Sequence, residues 1–152
     1  MKKNFFLAML TLMLSALCVL ALAEDTTAAL PDGVYQATFN TDSSMFRLHE
    51  SCEGKGILTV QDGIMTIHIT LLSKSYQYAY PGPLEEAQAE GAVLIEPTQD
   101  DVICSDGFEE TVHGFDIPVP ALDQDYVISL IGKKGKWYNH TVSVTDPVLL
   151  NE

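Results

Sequence analysis

Three of the eight Lys and Arg in this 152-residue chain fall within four positions, Lys133, Lys134 and Lys136. They stand immediately before Trp137 and Tyr138. A fourth cation, Arg47, follows the short turn Ser43-Ser44-Met45-Phe46. In a chain with 21 Asp and Glu, isolated cations beside aromatic rings can seat an anionic, flat, apolar ligand. Strand alternation supplies the rest of the geometry: Tyr138, His140, Val142 and Val144 fall on one face, and Trp137, Asn139, Thr141 and Ser143 on the other. A phenol and two valines on one face can line an apolar pocket with lysines at its mouth. The same pattern also fits a Tyr138 packed in the core, with lysines that only solubilise a hairpin tip.

Other chemistry is sparse. His49, His68, His113 and His140 are scattered, and no pair has zinc-ligand spacing. Glu109-Glu110 reads as a solvated charge run. Asp100-Asp101, Asp123 and Asp125 offer oxygens of the kind calcium takes, at a spacing that matches no known calcium loop. Asn139-His140-Thr141 forms a glycosylation sequon, but inside an expected strand. No G-x-S-x-G, H-E-x-x-H or phosphate-binding glycine loop is present, so the chain is expected to be non-enzymatic.

Charge and the N-terminus set the surroundings. Residues 1–23 have a short basic start, a continuous apolar centre from Phe5, and Ala21-Leu22-Ala23 at the end, the three-part layout of a secretory signal. The alternative is a retained membrane anchor. With the segment removed, six cations face 21 carboxylates, a net of −15 against −13 for the whole chain. That excess of acid argues against nucleic acid, which needs a basic footprint. The protein is expected to be secreted or held at the cell surface, and not integral to the membrane if the signal is cleaved. Two cysteines then remain, Cys52 and Cys104, an even count that suggests a disulfide. Closing that loop would stabilise the fold by roughly 4 kcal/mol. Two free thiols are the alternative.

The elements that must position these residues are short strands. Residues 24–32 form a polar lead-in, 33–146 a single domain, and 147–152 a C-terminal tail. Within the domain Tyr35, Ala37 and Phe39 alternate to one side. Gly56–Val60 and Ile64–Leu72 flank Asp62-Gly63, a strong hairpin signal, with Met65, Ile67, Ile69 and Leu71 on one face. Ser75–Tyr80 places Tyr76, Tyr78 and Tyr80 together. Leu84–Glu90 reads as a short helix, Ala92–Glu96 as a short strand, and Pro97–Glu110 as an acidic loop. Gly114–Val119, Tyr126–Ile131 and Trp137–Thr145 complete the set. Short strands with turns every 8–12 residues predict an all-β fold, an immunoglobulin-like antiparallel β-sandwich of seven to eight strands with one short helix.

On three stretches the chain resembles the NEAT (near-iron-transporter) haem-binding domains of Gram-positive surface proteins. They are Gly33-Val34-Tyr35 with Ser44-Met45, the hairpin Gly56–Leu72, and Tyr138–Val144 against the family pattern Y-x-x-x-Y. The resemblance runs from about Asp32 to Asp146. It implies haem as cofactor, with Tyr138 ligating the iron as phenolate, a reasonable ligand for ferric haem. It implies Ser44 and Met45 as the lip, Met45 and Phe46 as apolar cover, and Arg47, Lys134 and Lys136 as propionate partners. The chain departs from the pattern where Val142 replaces the second tyrosine and where Pro81–Gly114 is long and holds a Cys. The short motifs Ser44–Arg47, Tyr80–Gly82 and Lys136–Asn139 are also similar to those of a looser set of small exported bacterial domains with no assigned activity. Some NEAT domains grip a host protein instead of haem, so the competing expectation is an adhesion-type interaction module that uses the acidic loop or the loop tips. The expected partners are therefore haem, a haemoprotein, or a host or cell-surface protein.

Overall fold

A computed structural model describes residues 29–150. The expected signal segment, 1–23, and most of the expected lead-in lie outside the described residues. Among the described residues no helix is long and apolar enough to cross a membrane.

The fold is the all-β, sandwich-like architecture expected. Among the described residues there are eight antiparallel strands and one short α-helix: β1 (Gly33–Thr41), β2 (Lys55–Gln61), β3 (Ile64–Thr70), β4 (Tyr76–Tyr80), α1 (Leu84–Ala87), β5 (Thr98–Ile103), β6 (Glu109–Val119), β7 (Tyr126–Gly132) and β8 (Trp137–Leu149). The strands form one continuous sheet in the order β4-β7-β8-β1-β2-β3-β6-β5. The sheet curls until its ends meet. Ala79 on β4 exchanges backbone hydrogen bonds of 3.0 and 2.8 Å with Ile95, just ahead of β5. The two facing layers therefore belong to one sheet.

Period-two patterning places the core. Tyr35, Ala37 and Phe39 of β1, Leu58 and Val60 of β2, and Ile67 and Ile69 of β3 all point inward and are buried. Phe115, Ile117 and Val119 of β6, Ile128 and Leu130 of β7, and Val142 and Val144 of β8 face them. The β2–β3 turn has Asp62 at φ 52° and Gly63 at φ 76°. Both central residues are left-handed, as a two-residue turn matched to strand twist requires.

Four local expectations are corrected. Pro97–Glu110 is not a loop: it holds β5 and the start of β6, paired from Thr98↔Gly114 to Ile103↔Glu109. Its polar residues suit an edge strand, where charge deters further pairing. Ala92–Glu96 contributes only the bridge at Ile95. The three tyrosines of β4 do not share a face. Tyr76 pairs with Gly132 and Tyr78 with Ile131, so one extra residue bulges between them. The bulge turns Tyr76 toward the core with Ala79, and leaves Tyr78 exposed. Lastly, β8 runs past residue 146 to Leu149, pairing with Tyr35 and Gln36 where a tail was expected. A bulge at Asp146 (φ 52°) makes this extension compatible with Pro147.

Candidate functional site

The cationic turn and the serine-rich turn come together at one groove. A groove of about 600 Å³ is lined by Ser43, Met45, Ser75, Tyr76, Gly132, Lys133, Lys134, Lys136, Tyr138 and His140. That volume lies within the roughly 300–1,000 Å³ range of ligand pockets.

One wall is the β7–β8 hairpin. Its tip closes through Gly132 N–H to Lys136 O at 2.9 Å, with Gly135 at φ 73°. Lys133 N–H donates to Ser75 O at 3.1 Å, tying the tip to the start of β4. The opposite wall is the turn after β1. Ser43 Oγ accepts from the amides of Met45 and Phe46, both at 3.1 Å, and so shapes the lip. Met45 projects from it, 79% exposed.

Between the walls lies an aromatic stack. Phe46 packs against His140 with centroids 5.2 Å apart and planes 23° apart. His140 packs against Tyr138 at 6.4 Å and 14°. Lys136 Nζ sits 5.1 Å from the Tyr138 ring centroid, within cation–π range. Tyr76 closes the side, edge-on to Phe46 at 5.6 Å and to Tyr138 at 6.4 Å. Burial, and then the neighbouring Tyr138, push the Tyr76 phenol above its ordinary value.

Asp42 braces the stack from behind. Its Oδ1 accepts from His140 Nδ1 at 3.1 Å and its Oδ2 from the Thr141 amide at 3.0 Å. The Thr141 amide, with His140 beside it, holds the Asp42 carboxyl below the usual range despite some desolvation. With the ring proton on Nδ1, His140 Nε2 is a buried lone pair with no partner.

Tyr138, His140, Met45, Lys134 and Lys136 thus converge on the groove. Ser44 and Arg47 are exposed outside its lining. Ser43, not Ser44, forms the lip. Phe46 is fully buried behind His140 and outside the groove lining, so it supports the stack and does not cover a ligand. Lys133 of the cationic turn joins the lining, Ser43, Ser75 and Tyr76 are additions, and the β4 bulge that turns Tyr76 inward has no sequence signal.

Two further features complete the inventory. A second groove of about 600 Å³ lies at the other end of β4 and β7, among Ile64, Met65, Pro83, Pro118, Tyr126 and Val127. Its only charged lining residue is Glu86, and burial pushes the Tyr126 phenol up to about 12, so it offers little polar chemistry. Near the β5–β6 turn, Cys52 and Cys104 are free thiols, and the expected disulfide is not formed. Cys104 Sγ instead donates to Glu110 Oε1 at 3.3 Å and lies 3.9 Å from His49 Nε2. That hydrogen bond, with burial and the charges of Glu110, Asp106 and Glu50, pushes the Cys104 thiol up. A thiol so placed is a poor nucleophile.

Comparison of the chain with protein-family models, with curated proteins and with solved structures finds no match.

Proposed function

We propose that this is an exported, non-enzymatic binding protein whose groove beneath Tyr138 takes haem or a similar flat anionic ligand. The observation that carries the reading is the convergence of three lysines, an accessible phenol and a braced aromatic stack on one groove. Tyr138 is 38% exposed, so its hydroxyl is within reach of a ligand. Lys133, Lys134 and Lys136 would pair with carboxylates, and Met45 would cover the ligand's apolar face. The donor set fits haem. A phenolate beside an ammonium suits ferric iron, and the rings of Tyr76, Tyr138 and His140 in the lining suit a porphyrin plane. His140 stands where the stack needs support, two residues along β8, while Val142 is buried in the core. When bound, haem would supply a ferric centre for the Tyr138 oxygen. The chain's own part is to orient that oxygen, exclude water and neutralise the carboxylates.

The test is to titrate hemin into the mature domain and follow its Soret band. Saturable binding at one hemin per chain supports the proposal, and a spectrum identical to hemin in buffer refutes it.

A second reading has a specific observation of its own. Ile103 and Phe108 at the β5–β6 hairpin end are 62% and 73% exposed among acidic residues. An apolar pair with an acidic rim suits a protein partner with a basic rim.

A further inference from the structure

The three side chains beside the β5–β6 turn form a triangle whose dimensions carry a second, independent inference. Cys104 Sγ and Glu110 Oε1 are 3.3 Å apart, His49 Nε2 and Glu110 Oε1 3.3 Å, and Cys104 Sγ and His49 Nε2 3.9 Å. Zinc bonds of about 2.3 Å to sulfur and about 2.0 Å to nitrogen or oxygen give a tetrahedron with edges of about 3.3–3.5 Å. The observed triangle is close to one face of that tetrahedron. Nitrogen, thiol sulfur and carboxylate oxygen together are also the donor set of a borderline divalent metal, not of calcium or magnesium.

The alternative of a catalytic cysteine fits less well. A Cys–His pair needs its carboxylate on the far ring nitrogen, where it orients the imidazole. Here Glu110 shares the near nitrogen, Nε2, with the thiol. The far nitrogen, Nδ1, faces Ser51.

We propose that His49, Cys104 and Glu110 bind a divalent transition metal of the zinc type, leaving a fourth position open to water. The ligands sit on backbone held in place. His49 is 2% exposed and precedes the 3-10 turn Glu50–Cys52. The Cys104 amide donates to Phe108 O at 2.8 Å, and Gly107 N–H to Cys104 O at 2.9 Å, closing the hairpin. Glu50 Oε1 accepts from Ser105 N–H at 3.0 Å and pins the two segments together. The Ser51 amide donates to His49 Nδ1 at 3.2 Å, which leaves the ring proton on Nε2. A metal on Nε2 would shift the ring proton to Nδ1, which would give up the Ser51 amide and donate instead to Ser51 Oγ at 2.8 Å. The thiol proton leaves to solvent. Glu110, 47% exposed, gives the ion a path in.

The test uses chelator-treated full-length protein, free of hemin, titrated with Co²⁺ as a spectroscopic probe and then with Zn²⁺. The expected result is one Co²⁺ per chain, with a thiolate-to-metal charge-transfer band that Zn²⁺ abolishes by displacement. Cys104→Ser should lose the band. Glu110→Gln should weaken binding at least about tenfold, since even outer-shell partners are worth that much. Cys52→Ser should bind as wild type. Both ligand variants are at solvent-accessible positions, and their circular dichroism should match wild type. Absence of stoichiometric binding overturns the proposal. So does a band that survives in Cys104→Ser, or one lost in Cys52→Ser.

Discussion

Tyr138 and His140, two residues apart on β8, hold their rings 14° from parallel with centroids 6.4 Å apart. Asp42 fixes the histidine from the far side through Nδ1. The arrangement predicts that Asp42→Ala loosens the ring under Tyr138. We expect hemin affinity to fall about tenfold, the worth of one charge-assisted hydrogen bond, with the far-UV spectrum unchanged. Equal affinity in Asp42→Ala would remove His140 from the site.

The lysines predict a dependence on salt. Lys134→Ala/Lys136→Ala should weaken hemin binding by about tenfold, from two partly screened pairs of up to about 1 kcal/mol each. Wild-type affinity should fall as ionic strength rises from roughly 0.05 to 0.5 M, and that of the double variant should fall much less. The dimethyl ester of hemin, which lacks the free carboxylates, should not distinguish the two proteins. Identical salt curves would show that the lysines do not meet the ligand.

Asp100 predicts the acid limb of stability. Burial raises its carboxyl, but hydrogen bonds from Thr70 and Thr98 and the charge of His68 outweigh that and hold it below the ordinary range. The partners lie at 2.7 Å (Thr70 Oγ1), 2.7 Å (Thr98 Oγ1) and 3.0 Å (His68 Nε2). A depressed carboxyl contributes stability above its unfolded value, about pH 3.9, and loses it as pH falls through the lower folded value. Asp100→Asn should therefore flatten the fall in urea midpoint below about pH 4. Wild-type and variant curves that stay parallel through that range would contradict the assignment.

The fold was legible wherever one face of a strand is dry. Period-two patterning in β1, β2, β3 and β8 located inward side chains, and Asp62-Gly63 located the tight turn. It failed where polar side chains satisfy one another. β5 reads as loop because its Asp100 faces Thr70 and His68, partners 30 and 32 residues away. The groove was half legible. Tyr138, His140 and the lysines share a strand and its turn, whereas Tyr76 enters through a bulge. The His49 cluster was not legible at all. His49 and Cys104 are 55 residues apart, and they meet because the Leu48–His49 segment pairs with the end of β3, whose neighbours are β6 and β5.

On the proposed reading, the Tyr138 hydroxyl would meet the ligand's iron. The most direct measurement compares ferric hemin spectra of the wild-type domain and Tyr138→Phe, at matched protein concentration and with folding checked by circular dichroism. Wild type should show a saturable Soret shift and a phenolate-to-iron charge-transfer band. In Tyr138→Phe the band should be absent and affinity at least about tenfold lower, a loss of about 1.4 kcal/mol or more. An equal Soret shift and equal affinity in the two proteins would contradict it.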